Sequence, residues 1–367
     1  MEDSAAVREA IAAARAGLVE RELIAEVVAL CAVAGEHLLV IGAPGTAKSE
    51  AVRRVAARLG GSYFEYLLGR FTEPNEVFGP VDLRRLREGV VEIETAGMLP
   101  EADVAFLDEV FLGSTAILNT LLGLLNERVF RRGRTVVAAP LRICVGAANT
   151  LPDDPALAAF ADRFLARLFI EPVPDARLEE LLAAGWALPE TPQAAGPVLD
   201  AVDRLAAAAR TCELTAVQPL VGSAVRRLRA AGVVLSDRRA VRVQRLIAAA
   251  ATLDGRTTAS GADLWVLPLA APDADAQAIA REVLADLLKE AANQSLVHAA
   301  EEFSQGPLAR AERLAESGRL LLARPDEPDL RLRLEATLRE IDAGFAPADL
   351  PESLAEVRAR LAAAVGP

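Results

Sequence analysis

A glycine-rich segment followed by a lysine and a serine occupies residues 42–49 and reads GAPGTAKS. Glycines allow the backbone to turn tightly and to aim N–H groups at phosphate oxygens. Lys48 can then reach the β- and γ-phosphates of a nucleotide, and the Ser49 hydroxyl can bind Mg²⁺. The chain has two lysines, so a lysine kept here indicates that a compact ammonium is needed. The segment therefore predicts a phosphate-binding loop.

The predicted cofactor contacts extend over the whole loop and its helical flank. They are Gly42, Ala43, Pro44, Gly45, Thr46, Ala47, Lys48, Ser49 and Glu50. The helix that begins near Thr46 adds the positive end of its dipole. Ala47 departs from the consensus G-x-x-x-x-G-K-[ST], which has glycine at this position. Alanine is acceptable if the residue is already helical, so we expect a small cost. The alternative is an ordinary Gly/Pro turn ahead of a helix.

Two acids, Asp108 and Glu109, end the apolar run VAFLDEV at residues 104–110. An acid pair at the carboxyl end of a strand points into the crevice where open α/β sheets bind ligands. We expect Asp108 to hold Mg²⁺ through water, and Glu109 to orient and deprotonate the attacking water. The separation of about sixty residues from the loop is usual for this fold class. Glu109 favours hydrolysis over mere nucleotide binding.

Five short apolar runs predict the strands that must position these groups. They are residues 36–42, 62–68, 102–110, 140–149 and 166–173. Helical patterns separate the runs, and such alternation is typical of an α/β fold with a parallel sheet. The pattern becomes wholly helical after residue 174. We therefore predict a nucleotide-binding domain over 1–174, an all-α lid over 175–270 and a C-terminal helical region over 271–367.

Composition narrows the class of protein. Of the 367 residues, 52% are apolar and 25% are charged, as in soluble globular proteins. The net charge of −12 argues against a dedicated nucleic-acid binder. Three scattered cysteines and two histidines predict neither a disulfide framework nor a zinc site. The charged N-terminus is not a signal peptide and no uncharged run is long enough to span a membrane, which predicts a cytoplasmic location.

Several longer stretches resemble the MoxR-type AAA+ ATPases, most closely their RavA-like branch. The resemblance runs from about residue 5 to residue 270. The most telling stretches are AGEHLLVIGAPGTAKSEAVRR, FEYLLGRFTEPNEVFGPVDL, AGMLPEADVAFLDEVFLGSTAILNTLLGLLNERVFRRG, NTLPDDPALAAFADRFLARL and VVLSDRRAVRV. Unrelated P-loop proteins share only the first motif and the acid pair, so the combination is specific. Alanine ahead of Lys48 is itself characteristic of the family.

The resemblance implies a P-loop NTPase fold: an αβα sandwich with an AAA+ core, a five-stranded parallel sheet, an all-α lid and a C-terminal helical region. The segment 18–24 would line the adenine pocket. Residues of about 76–98 resemble the family's helix-2 insert, and residues of about 128–140 resemble its hairpin ahead of sensor 1.

The resemblance also implies roles for an amide and four arginines. Asn149 matches sensor 1, which holds the lytic water or reads the γ-phosphate. Arg163 matches the arginine finger offered to a neighbouring subunit's ATP, and Arg167 is a second candidate. Arg238 matches sensor 2 of the lid, with Arg239 as the close alternative. A finger that acts on a neighbour requires head-to-tail assembly, and a closed ring is its natural form.

These features predict a Mg²⁺-dependent ATPase motor that forms a homo-oligomeric, hexameric ring and remodels a partner protein in a chaperone-like role. MoxR-type proteins commonly work with partners that carry a von Willebrand factor A (vWA) domain, so such a partner is predicted. The alternatives are a nucleic-acid-associated AAA+ motor and a nucleotide-gated scaffold without turnover. The acidic net charge counts against the first alternative, and the intact acid pair counts against the second.

Two features outside the nucleotide motifs remain open. The segment RVFRRGRT at 128–135 places four arginines on the predicted hairpin. They could contact a substrate or nucleic acid at the pore of a ring, or form a solvated turn. Trp186 and Trp265 are both expected to pack inside the lid.

Overall fold

The computed structural model describes residues 2–173, 177–188, 198–305, 307–323, 330–345 and 350–365. Its strands are β1 Leu38–Gly42, β2 Tyr63–Leu67, β3 Val104–Asp108, β4 Val129–Arg132, β5 Thr135–Ala138, β6 Ile143–Ala148 and β7 Ala166–Ile170. Five of them form one parallel sheet in the order β2-β3-β6-β1-β7. The other two, β4 and β5, form an antiparallel hairpin. The five predicted strands and their parallel sheet are confirmed.

The central strands are apolar on both faces because the sheet lies between two helical layers. In β1, Leu38 and Val40 enter one core, whereas Leu39 and Ile41 enter the other. Every residue of β1 and of β6 is buried. Continuous apolar runs of this kind are typical of parallel strands that are covered on both sides.

The α-helices of the described chain are numbered α1 to α17. They are α1 Glu2–Arg15, α2 Glu22–Ala34, α3 Lys48–Leu59, α4 Pro74–Phe78, α5 Leu83–Arg87, α6 Thr115–Glu127, α7 Pro155–Ala161, α8 Leu178–Ala187, α9 Leu199–Arg210, α10 Gln218–Ala230, α11 Asp237–Leu253, α12 Ala274–Val283, α13 Ala285–Leu288, α14 Val297–Gln305, α15 Pro307–Leu322, α16 Leu330–Gly344 and α17 Glu352–Val365. Short 3-10 helices span Leu99–Glu101, Val110–Leu112, Gly261–Val266 and Pro268–Ala270.

The helices divide between the faces of the sheet. Helices α2 and α3 cover one face, and α1 packs against both of them. Helices α9 and α11 extend the same hydrophobic core outward over α1 and α2, and α10 contributes further residues to this core. Helices α6 and α7 contribute to the core on the opposite face. Helices α15, α16 and α17 have a core of their own, which includes Leu314, Ile341 and Leu361. In the described parts of the chain, we find no helix with the length and apolarity needed to cross a membrane.

The two tryptophans have opposite environments. Trp265 is fully buried in the 3-10 helix Gly261–Val266, which confirms its predicted packing. The prediction for Trp186 was wrong, because its side chain is 93% exposed. The reason is that α8, which carries Trp186, buries none of its residues.

The hairpin of β4 and β5 packs beside the segment that carries α4 and α5. An isolated bridge pairs Val81 with Ile93, and the Ile93 N–H donates to Thr135 Oγ1 at 2.7 Å. Arg128, the first of the four arginines, does not join the hairpin surface. It ends α6 at φ +55°, and its guanidinium donates to Gly35 O at 2.9 Å, inside the protein.

Candidate nucleotide site

The phosphate loop connects the end of β1 at Gly42 with the start of α3 at Lys48. A Cβ at Gly42 would lie 2.5 Å from the Ile170 carbonyl oxygen, so the close approach of β7 requires glycine. Gly45 has φ +80° and Ala47 has φ +57°. The expectation that Ala47 is already helical was therefore wrong: it lies in the left-handed region, at a cost of about 1–2 kcal/mol. Such strain is typical of ligand-binding loops.

The Lys48 ammonium lies across the loop. Its Nζ donates to Gly42 O at 2.7 Å and to Ala43 O at 3.0 Å, and the residue is 7% exposed. Burial lowers the pKa of Lys48, and the nearby carboxylates of Asp108 and Glu109 oppose this shift. The ammonium is thus desolvated and faces acids, and it can exchange loop carbonyls for phosphate oxygens.

Three further predicted groups meet beside the loop, because β3, β6 and β1 are neighbours and their carboxyl ends share one edge of the sheet. Asp108 is the last residue of β3, and Asn149 directly follows β6. Asn149 Nδ2 donates to Glu109 Oε1 at 2.5 Å. Glu109 has φ +49°, and its N–H donates to Asp108 Oδ1 at 3.0 Å. The left-handed turn at Glu109 presents its carboxylate to the amide.

The oxygen ligands available here fit a magnesium ion. Ser49 lies half-buried in the first turn of α3, and Asp108 is half-buried. Mg²⁺ is usually held by one or two protein oxygens, substrate phosphates and water. Among the residues that the structure describes, no three His, Cys, Asp or Glu side chains form a metal cluster. A hydroxyl and a carboxylate beside a strained, exposed loop therefore suit Mg²⁺ bound together with a triphosphate.

Glu50 lies in the first turn of α3 but is engaged along the helix. Its carboxylate accepts from Arg53 Nη1 at 2.8 Å and from Arg54 Nε at 2.6 Å. Arg53 also donates to the Glu65 carboxylate from β2, at 2.8 and 3.0 Å. Within the protomer, Glu50 thus links α3 to the neighbouring strand.

Sequence reasoning did not single out Arg21. Its Nε donates to Thr46 O at 2.7 Å, and its Nη2 donates to Glu171 O at 3.0 Å. Arg21 is 4% exposed, and burial lowers its pKa. The guanidinium therefore ties the segment 18–24 to the phosphate loop and to the end of β7. No spacing rule could reveal it, because its partners are backbone carbonyls distant in sequence.

Arg163 lies at the opposite edge of the sheet, between α7 and the start of β7. The Ala166 N–H donates to His37 O at 3.3 Å, so the start of β7 lies beside the start of β1. About five residues of β1, or roughly 16 Å, separate this edge from the phosphate loop. Arg163 Nε is buried and has no hydrogen-bond partner among the described residues. The structure does not bring Arg163 to the loop of its own chain.

The two alternative arginines are buried inside the protomer. Arg167, 6% exposed, donates to Pro272 O, and burial lowers its pKa to about 10. Arg239 is 3% exposed. Its guanidinium donates to four oxygens: Asp162 Oδ1 at 3.1 Å, Phe164 O at 3.1 Å, Leu165 O at 2.6 Å and Ala270 O at 2.9 Å. Both guanidiniums are buried and hydrogen-bonded within the protomer, which argues against nucleotide contact for either.

Arg238 differs from its neighbour Arg239 because its side chain is exposed. It lines a cavity together with Gly35 and Arg142, which lie just ahead of β1 and β6. Arg238 is thus at the same edge of the sheet as Arg163, and it does not approach the phosphate loop of its own chain.

The sheet order, the phosphate loop and the acid pair define a P-loop ATPase fold of the AAA+ type. A family model described as the MoxR domain in the MoxR-vWA-beta-propeller ternary systems matches residues 5–207, and an AAA lid domain matches residues 222–277. The chain therefore belongs to the MoxR family of AAA+ ATPases.

Individual relatives cover smaller parts of the chain. Two uncharacterized proteins of Methanocaldococcus jannaschii are each 44% identical over 135 residues, which is 36% of this chain and 36% of each relative. A structural protein of Acidianus two-tailed virus is 32% identical over 146 residues, or 38% of this chain and 24% of that protein. The chain thus matches about a third of the length of the two archaeal relatives and about a quarter of the viral one.

A solved structure of a candidate ATPase from Cytophaga hutchinsonii is also similar. It has a TM-score of 0.63 and 17% sequence identity. The similarity covers 80% of this chain and 97% of that one. At this identity, the comparison supports the fold alone.

Proposed function

We propose that this chain is a Mg²⁺-dependent, ATP-hydrolysing motor whose active site is completed by a neighbouring copy. One observation carries the proposal: the candidate catalytic groups lie at opposite edges of one sheet. Lys48, Glu109 and Asn149 lie at the edge where the strands end, and Arg163 lies at the edge where they begin. A head-to-tail contact would bring the two edges together, and repeated contacts of this kind close into a ring.

Within one subunit, each group has a role that follows from its chemistry. The Lys48 ammonium would bind the β- and γ-phosphates, and the Ser49 hydroxyl and Asp108 would hold Mg²⁺. When bound, the ion would neutralise the negative charge that develops on the phosphates. Glu109 would take the proton of the attacking water. Asn149 would fix the Glu109 carboxylate through the 2.5 Å contact and help to orient that water.

Two arginines are proposed to act across the subunit interface. Arg163 would neutralise transition-state charge on a neighbour's ATP. Arg238 is the better candidate for sensor 2, because the buried guanidinium of Arg239 already donates four hydrogen bonds within the protomer. We propose a hexameric ring, as is usual for the family.

The partner is proposed to be a protein that carries a vWA domain. The matching family description names vWA and β-propeller proteins together with MoxR domains. The chaperone-like role, the RavA-like branch and the cytoplasmic location stay predictions. The division at residues 174 and 270 also stays a prediction. Helices α9–α11 share a core with α1 and α2, so this core extends across the first of the two divisions.

The Glu109→Gln variant, which should trap the ATP-bound ring, tests the proposed ATPase function. We expect the variant to bind ATP, because the phosphate loop is intact, and to hydrolyse it at under one hundredth of the wild-type rate. Light scattering should show rings in ATP, and a vWA-domain protein should co-purify with the trapped rings. Glu290→Gln, which changes an exposed acid outside the phosphate loop and the acid pair, should behave as wild type. Wild-type turnover by Glu109→Gln would contradict the catalytic role, and rings without a vWA protein would contradict the partner.

A further inference from the structure

A cavity of about 1070 Å³ lies between the edge where the strands begin and the helices α9 and α11. Its walls come from the ends of α2 and α6, the segment 139–142, α9 and α11. Small-molecule sites typically have volumes of about 300–1,000 Å³, so the cavity has room for a metabolite-sized ligand. The phosphate loop lies at the opposite edge of the sheet, and this cavity is therefore separate from the phosphate loop of its own protomer, although one lining residue, Arg238, is also the proposed sensor 2 for a neighbour's ATP.

The cavity is strongly basic. Six arginines line it: Arg128, Arg142, Arg210, Arg238, Arg242 and Arg245. Asp203 is the one acid among the lining residues, and Glu36 and Asp103 pair with lining arginines from behind. The whole chain carries a net charge of −12, so this concentration of cations is a local exception.

Three of the six guanidiniums are balanced by carboxylates. Glu36 is fully buried and accepts from Arg242 Nε at 3.0 Å and from Arg245 Nη1 at 3.1 Å. Arg142 donates to Asp203 at 2.7 and 3.0 Å and also pairs with Asp103. These six groups, three arginines and three acids, carry no net charge together.

The other three arginines leave an excess of positive charge. Arg128 donates only to backbone carbonyls and His37, and burial lowers its pKa to about 10, so it stays protonated at neutral pH. Arg210 and Arg238 are exposed, and neither has an ion-pair partner within the described residues. The carboxyl-terminal ends of helices α2, α6 and α9 carry a partial negative charge of about half a unit each, which offsets part of the positive charge of these arginines. An excess of more than one positive charge remains.

We propose that this cavity binds a free polyphosphate anion, held chiefly by Arg210 and Arg238 and independently of the phosphate loop. Guanidinium forks match the geometry of phosphate oxygens. None of the described lining residues is aromatic, so the cavity offers no ring on which a nucleobase could stack. The recognised chemistry is therefore the phosphate chain itself. The inference does not rest on the proposed ATPase function.

Calorimetric titration with inorganic tripolyphosphate tests the site on full-length Lys48→Ala protein, in which the phosphate loop is disabled. The protein is kept dilute, and light scattering confirms a monomer. We expect one tripolyphosphate per chain, with affinity that falls as salt rises. When Arg210→Ala and Arg238→Ala are combined with Lys48→Ala, the affinity for tripolyphosphate should fall about tenfold or more. The matched pair Arg87→Ala and Arg226→Ala removes two exposed arginines outside the cavity and should change affinity less than twofold.

Several outcomes would overturn the proposal. They are the absence of binding at millimolar tripolyphosphate, unchanged binding after Arg210 and Arg238 are removed, or an equal loss in the control pair. ATP that binds the Lys48→Ala monomer more than tenfold tighter than tripolyphosphate would show base recognition and contradict the assigned ligand. Binding seen only in assembled rings would mean that the phosphates belong to a neighbour's nucleotide. Circular dichroism checks folding, and Arg210→Gln with Arg238→Gln repeats the test with polar side chains.

Discussion

Replacing the adjacent arginines 238 and 239 one at a time separates a structural from a functional guanidinium. Helix α11 begins at Asp237, and the Ser236 hydroxyl caps it by accepting from the Arg239 N–H at 3.3 Å. Because α11 begins at this position, the Arg239 side chain points toward the interior, whereas the Arg238 side chain is exposed. We expect Arg239→Met to destabilise the packing of α11 against the sheet, and Arg238→Met to leave it unchanged.

The magnitude follows from the contacts of Arg239. Methionine keeps much of the aliphatic volume but removes hydrogen bonds to Asp162 and to three carbonyls. Breaking a buried charged pair costs about 3–5 kcal/mol. Because the Asp162 side chain is 33% exposed, water can replace part of that pair, and we expect a loss near the lower limit, about 3 kcal/mol. Arg238→Met should change stability by less than about 0.5 kcal/mol.

Urea unfolding followed by Trp265 fluorescence measures the difference. Trp265 is fully buried in the core that α11 shares, whereas Trp186 is 93% exposed. Both variants are therefore made in a Trp186→Phe background, so that the signal reports on the buried ring. If Arg239→Met unfolds at the same urea concentration as Arg238→Met, the assignment of Arg239 as a structural residue is wrong.

Three further substitutions probe the phosphate loop. Ala47→Gly should raise the free energy of unfolding by up to about 1 kcal/mol, because relieving the left-handed strain stabilises the folded chain by more than the added entropy stabilises the unfolded chain. A lower free energy of unfolding in urea would contradict this. Gly42→Ala should lower stability by more than about 1 kcal/mol and abolish ATP binding in calorimetry, since its Cβ would lie 2.5 Å from Ile170 O. Arg21→Met should weaken ATP binding about tenfold by freeing the loop carbonyl; wild-type affinity would refute this role.

The sheet and the groups at its carboxyl edge could be predicted because their signals are local. A buried parallel strand is a continuous apolar run, and β1 and β3 each end directly at a motif with its own spacing. The meeting of Glu109 with Asn149 follows from the parallel order of β3 and β6, which are neighbours in the sheet. The 2.5 Å distance between the two side chains depends on the left-handed turn at Glu109, which no periodicity encodes.

Other features depend on tertiary contacts that lie outside any motif. Arg238 and Arg239 are chemically identical neighbours, and only the direction of α11 decides which is buried. Arg128 was grouped with the hairpin arginines, but the left-handed end of α6 turns it toward Gly35. For Ala47, the sequence showed the departure from glycine but not the backbone conformation that makes the departure costly.

Mixing two inactive variants tests most directly whether the active site is shared between subunits. Glu109→Gln and Arg163→Ala should each bind ATP, assemble and fail to hydrolyse it. In a mixture of equal amounts, about a quarter of the interfaces should combine an intact Glu109 with an intact Arg163 from the next subunit. We predict that the mixture regains a corresponding fraction of wild-type hydrolysis. A mixture no more active than its components, or a monomer that hydrolyses ATP at the full rate, would contradict the account.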